Sequence, residues 1–410
     1  MDAKSALAEH ITVTSSKMIL NNIHYILCTL ALWSIIPAPY HYYKLFYIAT
    51  AIAVAATILF ASLGAIRTDG LYKAIIPVLV YFLYLLITSL WAVYPAITVK
   101  QVLVDLIFLF IFALFYLVGV NNSLERIANI YILVAYPAAI AAYYYSGYDP
   151  RDLPVPGRIG LTGLHFLPFA LPFCIWKLKT AGLPHGIVSF LLTIFLISIA
   201  QSRAAILIMA VIVPLTIIVL SKNLRSSMIL MSKIGIVTLV LFAGSYSFEK
   251  PRTYINESIE RFNVKSHDVG GEIRSEDWLR ELHYEEGLKL LISMQPLGMG
   301  YHNFLGWSEK ALGVETSMHS AYLSWGLEGG LICVVIAYYL LYRFYSILIK
   351  MAKAADNIRE KTFYEALMLS MIGVLINGLF HQAHQTPTLF VLLGIAYSVP
   401  YRQKLNSSSS

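Results

Sequence analysis

Long, nearly unbroken apolar runs make up most of the chain, and short polar segments separate them. A helix needs about 20 mostly apolar residues to cross the hydrocarbon core of a bilayer. By that rule the pattern predicts about twelve transmembrane helices, at residues 18–36, 44–66, 75–93, 101–120, 127–146, 160–176, 186–200, 204–221, 227–247, 320–347, 363–380 and 386–401. The expected fold class is therefore an all-α polytopic membrane protein.

One long polar segment interrupts this pattern, at residues 248–318, and it carries 12 acidic and 8 basic side chains. Helices are predicted at 252–264 and from Ser275 to Met294, with Ser275 as N-cap and Glu276 and Asp277 in the first turn. The Pro296–Gly300 stretch predicts a break after the second helix. The resulting divisions are nine helices in residues 1–247, a helical loop domain in 248–318, three helices in 319–401 and a cytoplasmic tail in 402–410.

Composition agrees with a membrane protein, since 58% of residues are hydrophobic and only 13% are charged, with a mean hydropathy of +0.68. A soluble domain has about 25% charged residues. The net charge of +7 would suit nucleic acid. In a membrane protein, however, basic residues concentrate in cytoplasmic loops, so no nucleic-acid partner is expected.

The distribution of basic residues predicts the orientation. With the N-terminus in the cytoplasm, inside segments hold 17 of the 30 basic residues and short outside loops hold five; the long segment holds the other eight. This bias places both termini in the cytoplasm and residues 248–318 on the outer side of the membrane, which is the periplasm if the cell is Gram-negative.

Candidate chemistry lies in the segments predicted to face outward. His319 opens helix ten at the mouth of the membrane region, where an imidazole can act as a general base near neutral pH. Three arginines come from three separate outward segments: Arg158 among glycines before helix six, Arg203 between helices seven and eight, and Arg280 in the long loop. Guanidinium groups bind phosphate in a bidentate manner, so convergence on a pyrophosphate is one hypothesis; a set of unrelated interfacial charges is the other.

Other polar positions are secondary candidates. Lys100 and Trp91 flank the second outer loop, and Tyr284 follows Arg280 by four residues. His381 and His384 could ligate a metal, but no carboxylate or cysteine lies near them in sequence. The three cysteines, Cys28, Cys174 and Cys333, fall in separate apolar segments and predict neither disulfides nor a metal site.

Several motifs together resemble those of the bacterial O-antigen ligases, within the O-antigen ligase and polymerase superfamily. They are His319 followed after ten residues by Gly330, Arg280 with Tyr284 and the Pro296–Gly300 stretch, and Gln201 to Ala204. The start of the chain, from Ser15 to Leu20 and from Tyr25 to Cys28, is also similar to enterobacterial members. One departure is Tyr284, where many members have leucine.

This resemblance implies a GT-C-like membrane glycosyltransferase with a helical periplasmic loop domain. The implied reaction transfers O-antigen polysaccharide from undecaprenyl pyrophosphate to a sugar of the lipid A–core, without metal, nucleotide or other cofactor. His319 would be the base, Arg280, Arg203 and Arg158 would hold the pyrophosphate, and Gly330 would be a structural position. Partners would be the lipid-linked donor, the lipid A–core acceptor and membrane lipids.

Two alternatives stay open. An O-antigen polymerase of the same superfamily would add repeats to a lipid-linked chain, and the acceptor that distinguishes it does not show in the sequence. A twelve-helix secondary transporter often has two similar six-helix halves; here the large loop follows helix nine, which argues against that architecture.

Overall fold

The computed structural model describes residues 3–34, 43–145, 167–181, 184–199, 203–221, 223–247, 249, 252–253, 256, 266–269, 272–275, 278–293, 296–312, 318, 320–380 and 387–407. Within these ranges the chain is almost entirely helical. The first half contains α1 (Ala3–Trp33), α2 (Tyr43–Ser62), α3 (Leu71–Ile87) with a 3-10 turn at Thr88–Leu90, α4 (Pro95–Asp105), α5 (Ile107–Asn121), α6 (Leu124–Ile132), α7 (Ala135–Tyr145) and α8 (Leu167–Ala181).

The second half contains a short hairpin between two groups of helices. The elements are α9 (Pro184–Ile199), α10 (Arg203–Leu220), α11 (Leu224–Tyr246), β1 (Ser266–Val269), β2 (Glu272–Ser275), α12 (Trp278–Ser293), α13 (Phe304–Leu312), α14 (Ala321–Ala354), α15 (Ile358–Asn377) and α16 (Pro387–Ser407). The two strands pair antiparallel, with Ser266 opposite Ser275.

Helices occur at each of the twelve predicted segments, but two segments are divided. The segment predicted at 101–120 is α4 and α5, which begin six residues earlier and meet at Leu106, and the one at 127–146 is α6 and α7. Among the described residues, four helical stretches are long and apolar enough to cross a membrane: Lys44–Ser62, Leu71–Leu90, Pro95–Asn121 and Ala321–Ala354. The multi-pass class is thus supported, and the number twelve stays a prediction.

The prediction that the second loop helix begins at Ser275 was wrong. Ser275 is the last residue of β2 rather than an N-cap, because its backbone pairs with Ser266, and α12 begins at Trp278. Of the first predicted loop helix, residues 252–253 and 256 are helical, while 257–265 lie outside the described residues. The last helix continues to Ser407, into the segment assigned to the tail.

The centre of the bundle is the close packing of α16 against α5. Gly394 is the reason these helices can approach, because a Cβ there would lie 2.5 Å from the carbonyl oxygen of Phe112. Next to this contact the rings of Phe108 and Phe390 stack with centroids 5.3 Å apart. Small residues at helix crossings are typical of membrane proteins, where association depends on close packing rather than on expelling water.

The outward surface of several helices is apolar, as lipid contact requires. Leu331, Val335, Tyr338 and Tyr342 are exposed along α14, and α1 and α2 carry similar rows. In a soluble protein such contiguous exposure would promote aggregation. These faces are suited to acyl chains.

Polar contacts gather at the two ends of the bundle. At one end Lys177, itself buried, lies 3.1 Å from Glu125, which also pairs with Arg359. All three belong to segment ends predicted to be cytoplasmic. At the other end Val93 donates to the carbonyl of Met299, so the outer loop after α3 meets the long segment after the strands.

Candidate functional site

The C-terminal part of α15 and the two residues after it form a junction between four elements. Ser370 donates to the carbonyl oxygen of Phe169 at the start of α8 at 2.8 Å. Gly373 faces Ile208 in the second turn of α10, where a Cβ would lie 3.6 Å from the Ile208 methyl carbon. We call the segment from Ser370 to Leu379 the α15 junction.

The same junction contacts α12 and α14. The carbonyl oxygen of Gly378 accepts from the backbone N–H of Ala321, the first residue of α14, at 2.8 Å. The carbonyl oxygen of Leu379 accepts from the hydroxyl of Tyr284 on α12 at 2.7 Å. The junction therefore meets α8, α10, α12 and α14 at one end of the bundle.

One face of α12 packs against the start of α14. Tyr284, Gly287 and Leu291 follow at spacings of three and four residues, which places them on one side of a helix. Met318 lies against Gly287, where a Cβ would come within 2.5 Å of its terminal methyl, and Leu291 lies against Gly326 in the same way at 2.7 Å. Small residues thus let α12 and α14 approach closely.

The structure locates the positions of two predicted arginines. Arg280 is the third residue of α12, four residues before Tyr284. Arg203 is the first residue of α10, five residues before Ile208, which contacts the junction. Both helices that carry them meet the α15 junction.

Two predicted site residues, His319 and Arg158, lie outside the described residues, as do His381 and His384. The residues on both sides of His319 are described and buried. Met318 packs against α12, and the Ser320 hydroxyl caps α14 by accepting from the N–H of Leu323. Arg158 precedes α8, whose first turn contacts the junction through Phe169.

Of the secondary candidates, Tyr284 contacts the α15 junction, whereas Lys100 and Trp91 belong to the region around the start of α4. Lys100 is exposed on α4. Trp91 donates its indole N–H to the carbonyl oxygen of Leu297 at 3.1 Å and so supports the long segment. Tyr284 holds the junction through the hydrogen bond described above, which its hydroxyl makes and a leucine could not.

Gly330 marks a kink in α14, with φ 72° and ψ −175°. The segment from Pro296 to Phe304, which we call the docking loop, packs into this kink. Met299 and Gly300 donate to the carbonyls of Leu327 and Glu328, each at 2.9 Å. The docking loop thus attaches to α14 next to Gly330.

A buried polar network beneath the docking loop escaped the sequence reasoning. Tyr301 donates its hydroxyl to Asp105 on α4 at 2.6 Å, and Asn303 donates to Thr98 at 2.7 Å. On the other side Glu328 of α14 accepts from the N–H of Phe304 at 3.3 Å. A signal was present, since Asp105 and Glu328 are carboxyl groups within predicted spanning segments, where charged residues are rare.

His302 sits between these two carboxyl groups in a left-handed backbone conformation, with φ 61°. Burial lowers the pKa of its imidazole, and the nearby Asp105 carboxyl opposes that shift. Such backbone geometry is costly for a residue other than glycine and persists where surrounding contacts fix it. Here those contacts are the hydrogen bonds of Tyr301, Asn303 and Phe304.

Among the described residues, no group of three or more His, Cys, Asp or Glu side chains could hold a metal ion. Cys28, Cys174 and Cys333 are each buried and unbonded to one another.

Comparison with known proteins matches residues 188–338 to the family described as O-antigen ligase. The match covers somewhat more than a third of the chain and includes Arg203, Arg280, His319, Glu328 and Gly330. No curated protein matches the chain. The family match confirms the resemblance to the O-antigen ligase and polymerase superfamily, whose members are glycosyltransferase-like membrane enzymes.

Proposed function

We propose, from the family match at residues 188–338, that this protein is an O-antigen ligase. It would transfer O-polysaccharide from undecaprenyl pyrophosphate to a sugar of lipid A–core, in lipopolysaccharide biosynthesis. The observation that carries the proposal is the α15 junction. It meets the helices on which Arg203 and Arg280 lie, and its Gly378 binds Ala321, two residues after His319.

The chemistry of this transfer suits a set of arginines and one histidine. The acceptor hydroxyl forms a new bond to the anomeric carbon of the donor sugar while the bond from that carbon to the pyrophosphate oxygen breaks. The proton of the hydroxyl passes to His319, and undecaprenyl pyrophosphate leaves with the bonding electrons. A single displacement of this kind inverts the anomeric centre.

Charge neutralisation is the main requirement for the leaving group. Arg203, Arg280 and Arg158 would bind the pyrophosphate oxygens and stabilise the negative charge that develops on them, without a metal ion. General base catalysis by His319 would contribute roughly 10²–10⁴-fold in rate. Tyr284 would support the site by fixing α12 to Leu379, and Lys100 would serve at most in attracting the anionic donor.

The proposed location follows from the apolar helices and the charge bias. The protein would lie in the inner membrane of a Gram-negative cell, with both termini in the cytoplasm and residues 248–318 in the periplasm. The α15 junction would then face the periplasm, where both lipid-linked substrates present their sugars. A site between helices is suitable because donor and acceptor stay anchored in the bilayer.

A polymerase of the same superfamily is the second candidate, because the family match does not distinguish it from a ligase. It would use the same residues with a lipid-linked repeat as acceptor. The transporter reading has no support from the family match.

An in vitro transfer reaction tests the proposal. Purified protein is mixed with lipid-linked O-polysaccharide and lipid A–core, without metal or ATP, beside His319→Ala and Arg225→Ala. Arg225 is an exposed residue of α11 at the end predicted to be cytoplasmic, so its variant controls for loss of a surface side chain. Polysaccharide on lipid A–core with wild-type protein and Arg225→Ala, but not with His319→Ala, is the expected result.

Two other results would contradict the proposal. Chain growth only when single lipid-linked repeats are supplied would make the protein a polymerase. Full transfer by His319→Ala would remove His319 from the role of base.

A further inference from the structure

The first part of α14 is a separate structural unit. At the kink the N–H of Leu331 donates to the carbonyl oxygen of Pro296 in the docking loop at 2.8 Å. The carbonyls of Leu327, Glu328 and Gly329 accept from Met299, Gly300 and the Tyr84 hydroxyl. Residues 321–329 are therefore bound to the docking loop and to α3 at the point where they join the rest of α14.

Glu328 lies at the end of this unit and is buried. Its carboxyl group accepts from the Ser324 hydroxyl at 2.7 Å, from the backbone N–H of Phe304 at 3.3 Å and from the backbone N–H of His302. The Glu328 side chain thus joins α14 to the backbone of His302 and of Phe304 in the docking loop. Burying a carboxyl group is unfavourable unless hydrogen bonds compensate it, and here three donors do.

The opposite end of the unit lies next to His319. Ala321 binds the α15 junction through Gly378, and Met318 packs against Gly287 of α12. From Ser320 to Glu328 the helix makes just over two turns, which transmit any tilt at the kink to its first residue. The docking loop and the α15 junction consequently hold the two ends of one short rigid segment.

We propose that Glu328 is a positioning residue, which fixes residues 321–329 and thereby the placement of His319 in the reacting site. The carboxylate acts through the docking loop and does not touch substrate. This inference rests on the proposed role of His319 as base. Its structural part, the fixing of α12 and residues 321–329 relative to the rest of α14, holds independently of the reaction.

The kinetic experiment compares Glu328→Ala, Glu328→Gln and the control Glu309→Ala, which removes an exposed carboxylate of α13. A small misplacement of a catalytic group lowers kcat without weakening substrate binding. Glu328→Ala should therefore lose roughly 10–100-fold in kcat, with KM for both lipid-linked substrates unchanged. Glu328→Gln should keep most of the activity, since its amide oxygen still accepts from His302 and Phe304.

A second measurement does not need the reaction. Nitroxide labels are attached to cysteines introduced at Ile292 of α12 and Tyr342 of α14, which are 80% and 70% exposed, while the three native cysteines are buried. Pulsed electron paramagnetic resonance should give one narrow distance distribution in wild-type, Glu309→Ala and Glu328→Gln backgrounds. Glu328→Ala should broaden it.

Unchanged kcat together with a narrow distribution in Glu328→Ala would overturn the inference, and so would a Glu328→Gln variant as impaired as Glu328→Ala. A KM increase in place of a kcat decrease would also overturn it. If wild-type protein showed no transfer but Glu328→Ala still broadened the distribution, the proposed reaction would fail and the structural part of the inference would stand.

Discussion

The N–H of Leu331 donates to the carbonyl oxygen of Pro296 at 2.8 Å, across the kink that separates the first turns of α14 from the remainder. This bond joins two residues far apart in the chain at the point where Gly330 interrupts the helical backbone. The intervening Gly330 makes this possible, because a Cβ at that position would overlap the Pro296 carbonyl and lie 2.5 Å from the carbonyl carbon of Leu297.

Gly330→Ala should therefore destabilise the protein and detach the docking loop. The positive φ of 72° and the overlap with backbone atoms together should cost about 2–4 kcal/mol. The apparent Tm in detergent, followed by tryptophan fluorescence, should fall. Gly235→Ala is the matched control, since a Cβ there meets nothing within 4 Å; its Tm should be unchanged or slightly higher. Equal Tm values for the two variants would contradict the assigned role of Gly330.

Gly394→Ala should loosen the packing of α16 on α5. The added methyl would lie 2.5 Å from the carbonyl oxygen of Phe112 and 2.9 Å from the N–H nitrogen of Tyr116, which are backbone atoms that cannot rotate away. Overpacking of this kind costs about 1–3 kcal/mol. Unfolding in mixed micelles should show that loss, whereas Gly244→Ala, with open space around it, should unfold like the wild type.

Asn303→Ala should free the docking loop from α4. Its amide donates to Thr98 and to the carbonyl of Tyr301 at 2.7 and 2.8 Å, and its oxygen accepts from the N–H of Tyr94. Leaving buried partners unpaired costs about 1–3 kcal/mol for each. Hydrogen exchange should accelerate in residues 94–105 and 296–304.

The control for that variant is Ser293→Ala, because the Ser293 side chain is exposed and its hydroxyl donates to Leu290 of its own turn. Its exchange pattern should match the wild type. Protection of residues 94–105 that survives in Asn303→Ala would show that Asn303 does not hold the loop.

Stability should depend on pH through Glu125. The hydrogen bond from Lys177 is the main cause that lowers the pKa of this carboxyl, with Arg359 adding to it and burial opposing it. A carboxyl group with a lowered folded pKa contributes stability above its unfolded pKa, about 4.3, and loses it as pH falls through the folded value. Tm measured from pH 7 down to about pH 3 should therefore fall less steeply in Glu125→Gln than in wild type.

Arg359→Gln is the comparison variant, because Arg359 and Lys177 both pair with Glu125. The Lys177 side chain is 4% exposed and that of Arg359 is 46% exposed, so solvent screens the Arg359 pair far more. Near pH 7, Glu125→Gln should lower Tm more than Arg359→Gln does, because it leaves a buried ammonium without its carboxylate. The opposite order would contradict this account.

Arg280→Lys and Arg203→Lys should each impair the proposed transfer. Lysine keeps the positive charge but cannot make the bidentate contact with a phosphate, so kcat should fall roughly 10–100-fold. The transfer assay measures this, with Arg225→Lys as control. Near-normal rates for both variants would exclude the two arginines from the binding of the pyrophosphate.

The sequence by itself indicated the membrane class and the resemblance to the O-antigen ligase family. Apolar runs of spanning length can be identified from the order of residues alone. The same holds for the motifs around Arg203, Arg280, His319 and Gly330, because each consists of residues close together in the chain. The sequence also identified Gly330 as a motif position, but it did not show that this glycine permits the kink in α14.

Tertiary structure alone decided which of these segments meet. The hydrogen bonds from Tyr284 to Leu379 and from Leu331 to Pro296 form only when the helices pack. The sequence did not show them, because hydrogen bonds between distant segments leave no periodic pattern in the chain. The buried carboxyl groups of Asp105 and Glu328 were visible as unusual charges in apolar runs, but the sequence did not show that Tyr301 and Phe304 of the docking loop donate to them. The Ser275 strand was missed for the same reason, since its conformation depends on pairing with Ser266 rather than on its own helix-capping preference.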